Sequence, residues 1–431
     1  MKKLVYYFLA FASVALVAFT AAFEHRGGKG KEVPFKNYSN TVVISWNNIA
    51  FETMQGPSYN PLVASRILAM MHLAMHDALN NIAPVYETYA YHRNEKKADP
   101  IAAVSAAAHS VLVESFPDKK TQLDAALEQA LKDVKPSADK DRGIILGEDA
   151  AQAILTLRSK DGAFADPVGK LDNPDKPGLY QLTPPMPFVY APFWTTMPTF
   201  ALKSPSQFRV AAMPALASKD YAEDFNEVKR IGAKESSTRT AEQTFIAKFW
   251  YEFSEIGWNR VTVTNVRDAN LDLVTTARLL ALVNMGLADS YTAGWDSKFH
   301  HNFWRPYTAI RAASRDNNDQ TSEEAAWEPL MNTPPVHDYP STHSVLGSAA
   351  ATILAGTVGD RSFTMTSTSA EPANATRTLK SFTYAAIENG DSRVFAGIHF
   401  RFSCESGLSL GRDIGDWILN TSLKPKAKPK A

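Results

Sequence analysis

The sequence of 431 residues contains a single cysteine, Cys404, and has no excess of either charge. One cysteine excludes an internal disulfide framework and any zinc cluster built on several thiolates. The 45 basic residues are balanced by 45 acidic ones, so the composition gives no reason to expect nucleic acid or a strongly charged surface as a partner. With 45% hydrophobic residues, the chain can bury a globular core.

Only the N-terminus carries a long apolar run. It reads MKKLVYYFLAFASVALVAFTAAFEHRGG, in which two lysines precede an apolar stretch that ends in small residues at Ala22. This order predicts a signal peptide, residues 1–22, and export to the periplasm or the exterior. An uncleaved membrane anchor is the alternative, because the run is long for a signal. No later segment has the roughly 18 uncharged apolar residues that a span requires, so we expect a soluble mature protein.

Helical periodicity recurs along the chain, whereas strand-like alternation is scarce. We therefore predict an all-α fold of helical bundles, in two helical halves that a proline-rich crossover joins. Nine prolines between Asp166 and Ser206 exclude a long helix from that crossover. The predicted helices are 62–82, 100–116, 120–133, 137–159, 219–233, 240–253, 268–291, 342–358, 375–390 and 404–420.

The same changes in composition suggest the domain boundaries. Basic residues and prolines dominate the last residues, which is typical of a disordered tail. No internal repeat is evident in the sequence. The predicted regions after the signal are an N-terminal extension (23–60), the first helical half (61–165), the crossover (166–206), the second half (207–421) and a basic tail (422–431).

Cations and histidines concentrate in three islands of the second half. In the first, Lys298 and Arg305 are seven residues apart, so one continuous helix would place them on the same face. Alternatively, Pro306 begins a new helix and leaves Arg305 at its entrance. In the third island, Gly397 disfavours a continuous helix from Arg393 onward. The islands are WDSKFHHNFWRPYTAIR (295–311), PSTH (340–343) and DSRVFAGIHFRFSCESGLSLG (391–411).

The PSTH island begins a helix of small and apolar residues. The first turn of a helix has N–H groups without partners, and together with the helix dipole they form a site for an anion. A histidine in that turn, His343, can give a proton to such an anion or take one from it. The alternative is ordinary capping by Ser341, with His343 on the surface.

Three cations in one small site, Lys298, Arg305 and Arg393, would repel one another unless an anion of high charge lay among them. The aromatic and small apolar residues around each island indicate burial, and a buried cation needs a partner. This pattern favours a site for a tetrahedral oxyanion such as phosphate or vanadate. One histidine can then attack or ligate the central atom while the other handles the proton. Three unrelated basic surface patches are the alternative.

The order K-x6-R-P, P-S-x-H and S-R-x5-H resembles the superfamily of type 2 phosphatidic acid phosphatases and vanadium-dependent haloperoxidases. FWRP at 303–306, YPSTH and AGIHFRF at 396–402 are more similar to the soluble haloperoxidase branch. So is Trp295, three residues before Lys298. The resemblance covers most of residues 60–420 and implies that the active site lies in the second half.

The resemblance also implies roles for individual residues. His399 would be the apical ligand of vanadium in vanadate, or a nucleophile that forms a phosphohistidine, and His343 would be the acid–base residue. The residues that would hold the oxyanion are Lys298, Arg305, Ser341, Thr342 through its backbone, and Arg393. The candidates for a halide site are Trp295, Val336 and His337.

An activity and a cofactor follow from the same resemblance. A vanadium haloperoxidase would bind vanadate and oxidise halide, here iodide or bromide rather than chloride, with hydrogen peroxide. A phosphatase acting on soluble phosphoesters is the first alternative, and it would need no cofactor. A catalytically silent oxyanion-binding protein is the second. In each case we expect small-molecule ligands, no nucleic acid and no membrane span after signal removal.

Three departures from the family pattern bear on this choice. Thr342 stands where the family usually has glycine, and Val336 stands where haloperoxidases have an aromatic residue or a histidine. Ser403 stands where the phosphatase branch has an aspartate that orients the second histidine. A hydroxyl can fix an imidazole tautomer, but it cannot stabilise an imidazolium as a carboxylate does. Glu405 or Asp391 is a candidate substitute for that aspartate.

One further pair of histidines has the spacing of metal ligands. His72 and His76 are four residues apart on a predicted helix, and Asp77 follows. The glutamate of an HExxH motif is missing, so we expect a buried helix whose polar residues bond to neighbouring backbone rather than a metal site.

Overall fold

A computed structural model describes residues 34–172, 175–369 and 373–426. The predicted signal peptide and the last five residues of the predicted tail lie outside the described residues. The helices of both predicted halves belong to one compact unit that begins at Pro34. The halves therefore share a packed interior, in which α-helices of the first half lie directly against α-helices of the second.

The described residues are mostly helical, which confirms the all-α prediction. Two short antiparallel ribbons, β1 with β2 and β3 with β4, are the strands among them. The helices are α1 (Thr41–Met54), α2 (Pro61–Ile82), α3 (Pro100–Ser115), α4 (Lys120–Leu131), α5 (Ala138–Arg158), α6 (Lys219–Ile231), α7 (Ala241–Phe249), α8 (Ser254–Asp268), α9 (Leu273–His301), α10 (Pro306–Arg311), α11 (Thr342–Val358), α12 (Phe382–Phe395) and α13 (Arg401–Thr421). The strands are β1 (Val168–Gly169), β2 (Val189–Tyr190), β3 (Phe363–Thr366) and β4 (Thr376–Leu379).

Two predicted helices were wrong in position. The predicted helix 268–291 falls across the junction of α8 and α9, where the Asp272 side chain caps α9 by accepting the N–H of Thr275. The predicted helix 375–390 begins with strand β4, whose alternating residues bury Leu379 against the core. Helices α1 and α8 were not predicted, although both bury several side chains.

The central helix α9 packs against α2 of the first half and against α11 of the second. Helix α13 approaches α11 closely, because Gly407 of α13 has no side chain: a Cβ at this position would lie 2.5 Å from the Ser341 carbonyl oxygen. These contacts fix where α11 and α13 begin relative to α9. Helix α2 is long and apolar enough to cross a membrane, but 94% of its apolar window is buried inside the protein, as in a core helix.

The proline-rich crossover contains a 3₁₀ turn, Pro192–Thr196, and no α-helix in its described part, as its nine prolines predict. Its end is held by a buried carboxylate on α9. Asp289 accepts the N–H groups of Phe200, Ala201 and Leu202 at 2.6, 2.7 and 2.9 Å. The crossover is therefore a tethered, extended segment.

Of the two histidines on α2, His76 bonds to backbone as predicted, whereas His72 bonds to a side chain. His72 bonds to the Asn47 side chain at 3.1 Å, and His76 bonds to the Glu87 carbonyl at 2.9 Å. Asp77 accepts three backbone N–H groups of the following loop, so its carboxylate holds that loop in place. Among the described residues, no group of three or more histidine, cysteine, aspartate or glutamate side chains is arranged to hold a metal ion.

Candidate active site

The three islands converge between the ends of α9, α11 and α12. Lys298 lies in the last turn of α9, and Arg305 is the N-cap residue of α10, as the alternative with a new helix at Pro306 predicted. Arg393 lies in the last turn of α12. His399 follows in the loop before α13, where Gly397 has a φ of +78° that a residue with a side chain rarely adopts.

Backbone carbonyls hold two of the three cations. Lys298 Nζ donates to the carbonyls of His337 and Asp338 at 2.7 and 2.9 Å. Arg305 donates through Nε to the Val336 carbonyl at 2.7 Å. Carbonyl groups satisfy donors without neutralising their charge, so both cations remain available to an anion. Burial lowers the pKa of Lys298 well below its usual value, and the neighbouring Arg305 adds to that effect.

Arg393 has the fewest partners of the three cations. It is buried, donates through Nη1 to the Trp250 carbonyl at 3.2 Å and has no partner for Nε. Burial lowers its pKa to about 10, so it stays charged at neutral pH. Among the described residues, the carboxylate within 4.0 Å of any of the three cations is Asp338, whose Oδ1 lies 3.8 Å from Arg305. With all three cations and Asp338 charged and the histidines neutral, the site would have an excess of two positive charges.

His399 presents a lone pair to this positive region. Its Nε2 lies 2.9 Å from Nη1 of Arg305. The same Nη1 lies farther from Nδ1, at 3.4 Å, and because a guanidinium only donates, the shorter contact favours a lone pair on Nε2 and the hydrogen on Nδ1. Nδ1 lies 2.9 Å from Oδ1 of Asp338, although the contact is not aligned as a hydrogen bond. Burial and the cations, Arg305 first, lower the pKa of His399 well below its usual value, so the ring is neutral.

His343 has the opposite tautomer. Its Nε2 lies 3.0 Å from the Glu252 carbonyl oxygen, which only accepts, so Nε2 carries the hydrogen and Nδ1 carries the lone pair. Burial lowers the pKa of His343 well below its usual value, and Arg393 lowers it further. A neutral imidazole in the first turn of α11 can therefore accept a proton through Nδ1.

Ser341 occupies the N-cap position of α11, but its hydroxyl makes no capping hydrogen bond. Its Oγ is buried without a partner among the described residues, so the alternative of ordinary capping by this side chain is wrong. A buried hydroxyl without a partner is costly, and a ligand at this helix N-terminus would satisfy it. The orphaned Oγ of Ser341 and Nε of Arg393, beside two excess positive charges, fit a bound dianion.

Thr342 fits this arrangement in spite of its side chain. The Thr342 side chain packs against α9 at Gly294, where the neighbouring helix has no side chain. A Cβ placed on Gly294 would lie 3.5 Å from Cγ2 of Thr342. As residue N1 of α11, Thr342 has a backbone N–H with no partner within the helix. The departure from glycine therefore preserves the amide that the anion needs.

The structure places two of the three halide-site candidates in the loop ahead of α11. Val336 is buried and holds Arg305 through its carbonyl. The His337 ring lies between Tyr180 and Phe299, with ring centroids 4.6 and 4.4 Å away. Burial, with help from Lys298, lowers the pKa of His337 to about 3, so this ring is neutral as well.

Trp295, the third candidate, lies one turn before Lys298 on α9. Its indole N–H donates to the Tyr190 carbonyl at 3.2 Å, and its ring packs edge-on against Tyr190 and Tyr291. This indole N–H is therefore already satisfied by the crossover, and Trp295 contributes an apolar surface rather than a donor.

Two features of the site were not predicted. The first is Asp338, which lies inside the HDYPSTH stretch but meets His399 only through the fold. The two suggested substitutes are wrong, because Asp391 pairs with Arg401 and Glu405 is exposed.

The second unpredicted feature is the break between α7 and α8, residues 250–252. The carbonyl of Trp250 accepts from Arg393, and the carbonyl of Glu252 bonds to His343. The break is anchored in turn, since the Trp250 indole donates to Glu388 and the Glu252 carboxylate accepts from Arg260. The aromatic run AKFWYEF (247–253) spans this segment, but the contacts of the segment with His343 and Arg393 run through backbone atoms that a sequence does not specify.

Comparisons with known proteins show what this chain is similar to. Residues 278–425 match a family model described as the VCPO second helical-bundle domain. The chain is 25% identical over 398 residues to the vanadium chloroperoxidase of Curvularia inaequalis, an alignment that covers 73% of this chain. The chain thus spans 65% of the length of that curated relative, slightly less than two thirds.

Solved structures of bacterial proteins share the fold. A bacterial vanadium-dependent iodoperoxidase superimposes with a TM-score of 0.79 at 24% identity, over 93% of this chain and 100% of the other. A holo-type bacterial vanadium-dependent chloroperoxidase gives a TM-score of 0.68 at 15% identity, over 86% and 95% of the two chains. The second half of this chain is thus similar to the VCPO second helical-bundle domain, and the chain as a whole shares its fold with bacterial vanadium-dependent haloperoxidases.

Proposed function

We propose that this protein is an enzyme that binds vanadate and uses hydrogen peroxide to oxidise a halide, iodide or bromide rather than chloride. The observation that carries the proposal is the excess of two positive charges beside the orphaned hydroxyl of Ser341 at the start of α11. Hydrogen vanadate carries two negative charges and four oxygens, which matches that charge and those donors. The similarity to vanadium-dependent peroxidases supports the same cofactor.

The residues would divide the binding between them. Lys298 would supply a point charge, and the two arginines would supply forked donors suited to oxyanion oxygens. The Ser341 hydroxyl and the Thr342 amide would add hydrogen bonds at the helix N-terminus. Nε2 of His399, with its lone pair, would be the nitrogen ligand of the metal.

When bound, vanadate supplies a Lewis-acidic centre that activates hydrogen peroxide towards attack by halide. His343 would take up the proton that peroxide loses, because its Nδ1 is unprotonated while Nε2–H is fixed on Glu252. The overall reaction consumes peroxide, halide and one proton and gives hypohalous acid and water. The protonated His343 would return its proton to the oxygen that leaves as water.

The halide preference rests on the loop ahead of α11 and on general chemistry. Iodide gives up electrons more readily than bromide, and bromide more readily than chloride. An aliphatic residue at position 336 offers a halide no polar contact, so the site would suit the halide that needs the least activation. A solved structure with the same fold is titled as an iodoperoxidase, which supports this order.

The test is hydrogen-peroxide-dependent iodide oxidation by the purified protein, with and without added orthovanadate. We expect activity that requires vanadate and is lost in His399→Ala. His300→Ala is a matched control, because His300 is exposed on the same helix end as Lys298. Tight orthovanadate binding without turnover of iodide, bromide or chloride would contradict the proposal and favour a silent oxyanion-binding protein.

A phosphatase remains the second candidate, and one observation favours it. The carboxylate of Asp338 lies 2.9 Å from Nδ1 of His399, so the missing aspartate at position 403 no longer argues against a nucleophilic histidine. Release of phosphate from a soluble phosphoester by vanadate-free protein would support this activity. Release that exceeds iodide oxidation by the vanadate-loaded protein would make it the main function.

We also propose that the protein is exported by means of residues 1–22 and acts on small molecules. The chemistry is consistent with that location, since hypohalous acid damages a cell's own components. N-terminal sequencing of protein from the culture medium or periplasm is the test. A mature chain that begins at residue 23 would support export, and a chain that retains its first 22 residues in the membrane would support an anchor.

A further inference from the structure

We propose that Asp338, held by Ser403, is the positioning residue for His399 and replaces the aspartate that the related phosphatases carry at the position of Ser403. The carboxylate comes from the loop ahead of α11 rather than from the first turn of α13. This inference rests on the proposed function for the role of His399, but it concerns the state of the ring before any cofactor binds.

The carboxylate of Asp338 is completely buried and faces His399. Oδ1 lies 2.9 Å from Nδ1 of the imidazole and has no aligned hydrogen bond from any other described group. Oδ2 accepts a short hydrogen bond from the Ser403 hydroxyl. A small rotation of the His399 ring would align Nδ1–H with Oδ1.

The other charged neighbours do not compete for this carboxylate. Arg305 lies farther away, at 3.8 Å, and already donates to the carbonyls of Val336 and Ile398. Lys298 bonds to the carbonyl of Asp338 and not to its carboxylate. The side chain of Asp338 therefore faces His399 while it also interacts electrostatically with Arg305 and Lys298, and its backbone helps to hold Lys298.

Ser403 contributes in two ways. Its hydroxyl fixes the orientation of the carboxylate, and its carbonyl accepts the N–H of Ser341 at 2.9 Å. The loop that carries Asp338 and Ser341 is thus joined to the start of α13 next to His399. The sequence departure at position 403 and the aspartate at position 338 form one unit, in which a hydroxyl and a carboxylate together do what a carboxylate at 403 would do alone.

The expected effect is on the tautomer and basicity of the ring. A carboxylate that accepts Nδ1–H leaves Nε2 unprotonated and more basic, and such partners of metal-ligating histidines typically change metal affinity by about 10- to 100-fold. Asp338→Asn has the same shape and keeps an oxygen for Ser403, but it turns a donating NH₂ group towards Nδ1. The ring should then protonate Nε2 instead, which removes the lone pair that an oxyanion centre needs.

The first measurement is the tautomer of His399 in protein with ¹⁵N-labelled histidine and no vanadate, read from long-range ¹H–¹⁵N correlations and assigned with H399A. We expect Nδ1–H in the wild type and Nε2–H in D338N. The second measurement is orthovanadate affinity by equilibrium dialysis, which should be about 10- to 100-fold weaker in D338N. E405Q is the control, because Glu405 is an exposed carboxylate two residues after Ser403, and it should change neither.

A second substitution that restores the carboxylate distinguishes a positioning role of Asp338 from a general loss of structure. S403D in the D338N background returns a carboxylate to the position four residues after His399, and it should restore both the Nδ1–H tautomer and most of the orthovanadate affinity. If D338N does not fold, S403A takes its place, since it leaves the carboxylate but frees it to turn, and it should weaken orthovanadate binding severalfold. Unchanged tautomer and affinity in D338N, or unchanged affinity in S403A, would overturn the proposal.

The positioning role of Asp338 and the proposed haloperoxidase activity can be refuted independently of each other. The tautomer is read without turnover, so its dependence on Asp338 would stand even if the wild type oxidised no halide. Conversely, a D338N protein that behaves like the wild type in both measurements would remove the positioning role and leave vanadate-dependent iodide oxidation untouched.

Discussion

Two helices, α3 in the first half and α11 in the second, begin in closely similar surroundings and end with different chemistry. In the first half, Gly143 of α5 packs so close to α3 that a Cβ would lie 2.5 Å from the Asp99 carbonyl oxygen. In the second half, Gly407 of α13 is related in the same way to the Ser341 carbonyl oxygen. Asp99 and Ser341 are the N-cap residues of the two helices.

The likeness extends one turn further. Gly147 approaches the Ala103 carbonyl, and Gly411 approaches the Val345 carbonyl, in each case four residues along both helices. Each half also has a buried aspartate that accepts three consecutive backbone N–H groups. Asp77 on α2 accepts them from the loop that follows α2, and Asp289 on α9 accepts them from the end of the crossover. The two halves are therefore variations on one packing scheme.

The difference lies in what satisfies the helix N-terminus. Asp99 accepts the N–H of Ala102 at 2.8 Å, so α3 is capped by its own negative charge. Ser341 carries no charge and makes no capping bond, and the second half adds three buried cations around it. An anion site thus arises in one half and not in the other, because the cap of α11 is neutral and leaves its helix N-terminus for a ligand.

The largest expected effect comes from giving α11 the cap of α3. Ser341→Asp would place a carboxylate where the oxyanion binds, and two unit charges about 4 Å apart repel by roughly 4 kcal/mol at the effective dielectric of protein sites. We expect orthovanadate binding to weaken by roughly 100- to 1,000-fold. Equilibrium dialysis measures it, with Ser341→Ala as a control that should cost about tenfold at most. Equal effects of the two variants would show that charge at this cap does not matter.

The glycine contacts provide a matched pair of changes. Gly407→Ala and Gly143→Ala should each lower the free energy of unfolding by about 1 to 3 kcal/mol, because a Cβ would press on a backbone carbonyl of the neighbouring helix. Only Gly407→Ala should also weaken orthovanadate binding, since it displaces Ser341. Urea unfolding and dialysis on the same samples test both points. A loss of orthovanadate binding in Gly143→Ala would contradict the expectation that packing at the start of α3 does not affect the site at the start of α11.

The histidines extend the comparison to pH. Burial lowers the pKa of His72 on α2 to about 3, below the value near 6.5 of an unfolded histidine. Between these values the unfolded chain binds the extra proton, so this residue makes stability fall as the pH falls, by about 1.4 kcal/mol per pH unit. His72→Gln should remove that slope between pH 6 and 4. Urea unfolding at several pH values measures it, and an unchanged slope would assign the acid sensitivity to other groups.

The smallest effect is expected at the cap of α3. Asp99→Ala removes the hydrogen bond to Ala102, and the loss of such a cap costs about 1 kcal/mol of stability. Orthovanadate affinity should stay the same, because α3 takes no part in the site. Chemical unfolding and dialysis check the two statements. A change in affinity would mean that the two halves are coupled more tightly than their contacts indicate.

The sequence predicted which candidate residues lie together better than it predicted the groups that hold them. Lys298, Arg305, Ser341, His343, Arg393 and His399 were identified because each lies in a short motif with its chemistry visible in the residue types. Asp338 was missed because its contact with His399 joins positions 61 residues apart, which only the fold brings together. Gly294, which makes room for the Thr342 side chain, was missed for the same reason.

The helices, too, were predicted well where the local sequence determines them and less well where tertiary contacts do. Long periodic segments such as α2 and α11 were predicted closely, whereas the boundary of α8 and α9 depends on one capping aspartate within a continuous polar and apolar pattern. The likeness of the two halves was invisible in the sequence because it resides in glycine-to-carbonyl contacts. The side chains around those contacts have diverged, and Asp99 and Ser341 are themselves an example.

The break between α7 and α8 has a consequence for how the site tolerates change. His343 and Arg393 both bond to carbonyls of residues 250–252, at positions only two residues apart. A displacement of this break would therefore alter the hydrogen bonds of the proton acceptor and of the cation together. One short backbone segment thus links two groups that lie on different helices.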